Sequence, residues 1–308
     1  MDLRLHSHAE AHGKAIVLGE HSVVYGHPAL AAGLPQGLSL RASALPDRRQ
    51  ASTLRMASWD LDLELRVESE HPVVRACLEV LGHCDGPLTG WAIAGDSRLP
   101  PGAGLGSSAA LTVALARLAL GPDAAIDDVV AASLAGERIF HGEPSGIDSE
   151  VAARGGLLRY VRGEVPTPVE MSHPLPLLIV PSGVERRTDQ QVAQVRSRYE
   201  RFPSLARPML EVLGQAVTRG IEALRAGEHD VLGEIMQIAH GVLGAFGVSS
   251  PELDAMCSTA LRHGARGAKL TGAGGGGCIL VLPGQEPGSL VSAFEAQGFE
   301  PLLVELSP

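Results

Sequence analysis

Along the first 45 residues, apolar runs alternate with turn residues, and Leu3 to Ser7, Lys14 to Leu18 and Ser22 to Tyr25 read as strands of a hairpin-rich start. The run Leu61-Asp62-Leu63-Glu64-Leu65-Arg66-Val67 alternates apolar and polar side chains, which predicts a strand with one buried face. The period then becomes helical. Residues 71–81 carry apolar side chains at helical spacing, 107–120 reads as an Ala/Leu-rich helix opened by two serines, and 127–140 as a helix closed by His141, Gly142 and Pro144. Gly155 to Val161 predicts a strand that ends the first half. Residues 163–176 are rich in proline and charge, and a domain boundary is placed there, giving an N-terminal domain over 1–168 and a C-terminal domain over 169–308. Beyond it the pattern predicts a buried strand over 176–180, helices over 188–201, 208–226, 230–246 and 251–263, and a glycine run. A strand over 278–282, a short helix over 289–297 and a last strand over 302–306 follow. Strands and helices mix without strict alternation, which favours the α+β class over a doubly wound parallel sheet.

Composition narrows the picture. Of 308 residues 45% are hydrophobic but only 3% aromatic, so the core has to be built from Ala, Val, Leu and Ile. Acidic residues outnumber basic ones 35 to 25, for a net charge of −10. That balance argues against nucleic acid or an anionic membrane as partner, and any anionic ligand needs a local basic pocket. The N-terminus lacks a signal-like apolar run and no stretch is long enough to cross a bilayer, so a soluble cytoplasmic protein is expected. Cys77, Cys84, Cys257 and Cys278 lack metal or disulfide spacing and are expected to be reduced thiols. Among the 25 basic residues only Lys14 and Lys269 are lysine, and both sit in glycine-containing motifs. Where arginine otherwise supplies the positive charge, a retained lysine suggests a need for a compact ammonium, with genome composition as the plain alternative.

Four segments carry candidate chemistry. Pro101-Gly102-Ala103-Gly104-Leu105-Gly106-Ser107-Ser108 leads into a helix: glycines allow close backbone approach, the helix start offers free N–H groups, and the two hydroxyls reach phosphate oxygens or a metal. It is not a Walker A loop, since no Gly-Lys-Ser/Thr follows. Gly272, Gly274 and Gly277 satisfy the dinucleotide spacing G-x-G-x-x-G, but a strand follows instead of a helix, so nicotinamide binding is rejected. Architecture or one wall of a triphosphate pocket remain the readings of that run. Lys14 lies beside a buried strand, where it would neutralise a phosphate or lower the pKa of a hydroxyl, and Glu20 and His21 are polar between apolar runs, as either turn or site residues. Glu137 on a helix and Asp148 in the turn after it form a carboxylate pair suited to phosphoryl transfer, with a turn-and-cap role for Ser145 to Asp148 as the alternative.

Taken together and in this order, these motifs resemble those of the GHMP kinase superfamily, whose G-L-G-S-S-A-A loop is matched within Pro101 to Ala110. Gly19-Glu20-His21-Ser22-Val23-Val24-Tyr25-Gly26, His141-Gly142-Glu143-Pro144-Ser145-Gly146-Ile147-Asp148 and Phe246-Gly247-Val248-Ser249 are similar to motifs of its mevalonate-phosphorylating branch. The resemblance implies a two-domain fold, an N-terminal ribosomal protein S5 domain 2-like part and a C-terminal ferredoxin-like α/β sandwich. It also implies ATP- and Mg2+-dependent phosphorylation of the 5-hydroxyl of mevalonate, with another small-molecule kinase of the superfamily, such as one acting on phosphomevalonate, as the alternative. A homodimer is the oligomer the family admits. Carried over by position, Asp148 is the catalytic base and Lys14 stabilises the alkoxide. Pro101, Gly102, Ala103, Gly104, Leu105, Gly106, Ser107 and Ser108 bind ATP, and Ser108 and Glu137 hold Mg2+. Glu20, His21, Ser145 and Thr188 face the acceptor, as does an arginine near the end of the first domain, Arg159 or Arg162, suited to pair with the mevalonate carboxylate. Two positions depart from the pattern: His12 stands where proline is usual, and Glu143 where asparagine is usual.

Overall fold

In a computed structural model, residues 4–100, 102–185 and 188–308 are described. Two long strands, β1 (His8–Leu18) and β2 (Ala29–Ala44), open the chain. Between them Ser22–Tyr25 forms a 3₁₀ turn and not the strand its apolar residues suggest. Gly19 (φ 94°), His21 (φ 60°) and Gly26 (φ 87°) all sit in the left-handed region, which curls the backbone out of extension. Residues 4–7 carry no strand, and Leu3 lies outside the described residues. β3 (Thr53–Met56) and β4 (Leu61–Glu64) form an antiparallel pair. The alternating run stops short of Val67 because the Arg66 N–H turns back to the Glu64 carbonyl, 3.0 Å away.

Helix α1 (Pro72–His83) begins with proline in its first turn, where a missing N–H costs nothing, and β5 (Trp91–Ser97) follows. Helix α2 (Ser107–Leu120) is apolar nearly all round and correspondingly buried, α3 (Ile126–His141) packs on it, and α4 (Ile147–Arg154) starts at Gly146. The second half holds β6 (Leu157–Tyr160), β7 (Thr167–Pro168), β8 (Leu175–Pro181) and four helices. These are α5 (Thr188–Arg201), α6 (Pro203–Ala226), α7 (His229–Ala245) and α8 (Pro251–Arg262). Helix α6 starts five residues ahead of its predicted start, with Pro203 in the first turn and Pro208 inside. β9 (Gly267–Thr271), β10 (Cys278–Leu282), α9 (Pro287–Glu295) and β11 (Leu302–Leu306) complete the order.

The chain divides into two compact units that interleave along the sequence. The first comprises Met1–Lys14, Gly33–Pro101 and Leu105–Gly155; the second Ala15–Ala32, Gly102–Gly104 and Gly156–Pro308. In the first, β5 pairs antiparallel with the later part of β2 and parallel with β3. In the second, Ala29 to Ala32 of β2 pair with β6, and a separate antiparallel sheet runs β11-β8-β10-β9. Leu, Ala, Val and Ile fill the interior as the composition requires, joined by the buried aromatics Trp91, Tyr160, Phe246 and Phe294. No helix among the described residues is long and apolar enough to cross a membrane. Cys77, Cys84, Cys257 and Cys278 form no disulfide among the described residues.

Candidate active site

In the first unit, Lys14 is almost fully buried near the middle of β1, and its Nζ lies 2.9 Å from Oδ1 of Asp148. Its backbone N–H donates to the Leu105 carbonyl at 2.7 Å, fastening the strand to the start of α2. Asp148 occupies the first turn of α4, not a free turn as the sequence suggests, and there its negative charge meets the positive end of the helix. Gly106 caps α2 in the left-handed conformation (φ 79°) with no side-chain cap, so the first-turn N–H groups are free of local competitors. A Cβ at Gly106 would stand 3.2 Å from Cβ of Lys14, so glycine is what allows the helix start and the lysine to lie together.

Ser108, one residue into α2, has its hydroxyl 3.4 Å from Oε2 of Glu137 on α3. The approach of α3 to α2 depends on Gly136: a Cβ there would meet Thr112 Cγ2 at 2.7 Å and Val80 Cγ2 at 2.8 Å. Burial, reinforced by the charge of Asp148, pushes the Glu137 acid up to about 8, against opposing contributions from the Ser108 hydroxyl and Lys14. Its Oε1 is buried without a hydrogen-bond partner, while His141, one turn on, stands 3.7 Å from Oε2. An orphaned carboxylate oxygen beside a serine hydroxyl is an unfavourable arrangement for an empty cavity and a favourable one for a hard cation with oxygen ligands. Among the described residues no group of three or more His, Cys, Asp or Glu is poised to hold a metal. A magnesium site that takes most of its ligands from phosphate and water needs no such group.

Of the remaining expected residues in this unit, Ser107 is half-buried in the first turn of α2, Leu105 is buried, and Ser145 is half-buried just ahead of α4. Pro101 lies outside the described residues. His12 packs its ring against Gly155, and burial together with Arg117 lowers its pKa. Glu143 is exposed.

In the second unit, Glu20 does not face an open space. Its carboxylate is ion-paired with Lys269 on β9, and both side chains are fully buried. Lys269 also donates to the Leu270 carbonyl at 2.6 Å. Burial raises the Glu20 pKa and the ammonium opposes that rise. His21 Nε2 lies 2.9 Å from the Ala273 carbonyl; a carbonyl only accepts, so Nε2 carries the proton. Desolvation lowers the pKa of this ring and keeps it neutral. Thr271 Oγ1 donates to the Ile16 carbonyl at 2.9 Å and accepts from the Ile16 N–H at 3.0 Å, so the turn after β1 and the glycine run are tied at three places. The glycine run itself is the connection between antiparallel β9 and β10, and Cys278 Sγ donates to the carbonyl of Ala103 at 3.3 Å. Gly102 and Gly104 belong to this unit, the former exposed. Thr188 opens α5 and is exposed, and Arg159 on β6 reaches Glu164 at 3.4 Å. The Glu20–Lys269 pairing has one sequence signal, the isolation of Lys269 as one of two lysines in an arginine-rich chain.

A glycine-capped helix start and a buried lysine beside a carboxylate are groups that phosphoryl transfer uses, and comparison with known proteins gives the family. The family model for the GHMP kinase N-terminal domain matches residues 71–156, and that for the GHMP kinase C-terminal region matches 221–299. The chain belongs to the GHMP kinases. It is 33% identical to mevalonate kinase of Pyrococcus furiosus over 97% of this chain and 96% of that one, and 34% identical to mevalonate kinase of Aeropyrum pernix over 91% and 89%. Its fold is similar to that of L. major mevalonate kinase, solved in complex with R-mevalonate. The TM-score is 0.86 at 25% identity, covering 99% of this chain and 97% of the other.

Proposed function

We propose that the protein transfers the γ-phosphoryl group of ATP to the 5-hydroxyl of mevalonate, forming 5-phosphomevalonate and ADP. One observation carries the chemistry: the buried Lys14 ammonium 2.9 Å from Asp148, in the same unit as the uncapped start of α2. In the transfer a bond forms between the acceptor oxygen and the γ-phosphorus as the bond to the β-bridging oxygen breaks, and the acceptor proton passes to the Asp148 carboxylate. Lys14 pairs with that carboxylate and offsets charge on the acceptor oxygen. The loop over 102–107 and the first turn of α2 bind the phosphates through backbone N–H groups and the Ser107 and Ser108 hydroxyls. Ser108 and Glu137 would hold magnesium, which when bound offsets charge on the β- and γ-phosphates. His21, Thr188 and Arg159 in the second unit, and Ser145 in the first, are the acceptor-facing candidates, and Glu20 anchors the His21 turn through Lys269. On this reading, domain 1–168 contributes the phosphate loop and domain 169–308 completes the kinase.

Coupled ADP release across mevalonate, phosphomevalonate, homoserine and galactose tests the acceptor, with mevalonate expected to give the highest kcat/KM. Asp148→Asn is expected to lower kcat by about 10²–10⁴-fold with little change in KM for ATP. Near-normal turnover by that variant, or preference for another acceptor, overturns the reading.

A further inference from the structure

Three hydroxyls lie buried in the first unit among otherwise apolar helix faces: Thr112 on α2, Ser133 on α3 and Ser149 on α4. They touch in sequence. Thr112 Oγ1 is 2.8 Å from Ser133 Oγ, and Ser133 donates to Ser149 Oγ at 2.9 Å. Thr112 Oγ1 is also within reach of the Ser108 and Ala109 carbonyls, at 3.2 and 3.1 Å. Their positions relative to the candidate site are regular. Thr112 follows Ser108 by one helical turn, Ser133 precedes Glu137 by one turn, and Ser149 is the neighbour of Asp148. We propose that Thr112, Ser133 and Ser149 form a buried hydroxyl strap that sets the relative register of the three helices carrying Ser108, Glu137 and Asp148, making them positioning residues for phosphoryl transfer.

Apolar packing alone leaves such a register soft. Dispersion contacts between Ala, Val and Leu carry no direction, whereas a hydroxyl pair near 2.8 Å depends on both distance and angle. Hydroxyl proton counting strengthens the case. Each hydroxyl has one proton, and with that of Ser133 given to Ser149, the single proton of Thr112 goes to Ser133 in place of the two backbone carbonyls, completing a one-way chain. Removing any member orphans a neighbour in a place that water does not reach, so the three act as a unit. Gly136 supplies the clearance: with no Cβ it lets α3 come down onto the methyl of Thr112. Phosphoryl transfer depends almost wholly on placement, and misplacement by about 1 Å costs on the order of 10²-fold in rate.

The inference rests on the kinase reading above, and one pair of substitutions separates it from simple packing. Thr112→Val keeps the shape and removes the hydroxyl; Thr112→Ser keeps the hydroxyl and removes the methyl. A strap predicts that Thr112→Val loses at least about tenfold in kcat with both KM values within about twofold, while Thr112→Ser stays within about threefold of native. Amide exchange over 110–113 and 150–153, the first hydrogen-bonded amides of α2 and α4, is expected to quicken about tenfold in Thr112→Val and to stay native in Thr112→Ser. Ser133→Ala, a smaller truncation, repeats both measurements if the valine variant does not fold. A folded Thr112→Val or Ser133→Ala with kcat within twofold of native overturns the strap whatever the exchange shows, as does Thr112→Ser being the worse of the pair. If the native protein does not phosphorylate mevalonate, the proposed acceptor falls, and the exchange comparison alone decides the strap.

Discussion

Replacing Glu137 by glutamine preserves the volume of a buried side chain and removes its charge, isolating what ionisation of that carboxyl does to the fold. Burial first, and the charge of Asp148 second, raise its pKa from 4.5 to about 8. The folded protein therefore holds a proton that the unfolded chain gives up. Its contribution to stability is complete below pH 4.5 and is lost as the pH climbs through about 8. Within that window each pH unit weakens folding by about 1.4 kcal/mol. The side chain is only 2% exposed, so solvent does little to screen the effect. Between pH 6 and 8 the loss comes to about 2–3 kcal/mol, which for a chain of this length lowers Tm by about 3–5 °C. Calorimetry of metal-free native protein and Glu137→Gln at pH 6, 7 and 8 is the assay. The native Tm is expected to fall relative to the variant by that amount, and magnesium with ADP is expected to abolish the difference in slope by binding the ionised form. Parallel Tm curves for the two metal-free proteins would refute the link between burial and the shifted acid.

Two further outcomes are expected on stability. Gly136→Ala drives a methyl into Thr112 and Val80 and should cost about 1–3 kcal/mol, read as a lower urea midpoint; an unshifted midpoint would show that α3 does not need its close approach. Lys269→Met strands the buried Glu20 carboxylate and should cost about 3–5 kcal/mol, most of it recovered by adding Glu20→Leu, with equilibrium denaturation as the measure. A single variant as stable as native protein would show the pair to be dispensable.

The elements most legible in the sequence were those whose own periodicity decides them: α2, β10 and β11 begin and end where the pattern places them. The errors lie where neighbours override local preference. Ser22-Val23-Val24-Tyr25 has the composition of a strand, but left-handed backbone at Gly19 and His21 turns it into a 3₁₀ segment. Ser145 to Asp148 reads as a turn because α4 has only eight residues and carries its acids at the start, leaving a weak helical signal. Lys14, Ser108, Glu137 and Asp148 could be picked out because glycines and a lone lysine mark their loops. The scarcity of lysine marks Lys269 but does not name its partner, since 249 residues separate it from Glu20. The same holds for Thr112, Ser133 and Ser149, which appear in sequence only as small polar residues inside apolar helices.

The interleaving of the two units bears on how this chain is made. Ile16 waits for Thr271, which lies 255 positions further along, and until that strand leaves the ribosome the Ile16 backbone and the acid of Glu20 lack these partners. Synthesis is therefore nearly over before the second unit can close, and every prematurely terminated product displays greasy β-structure to chaperones and proteases. Slow maturation and prompt clearance of incomplete chains are what this wiring entails.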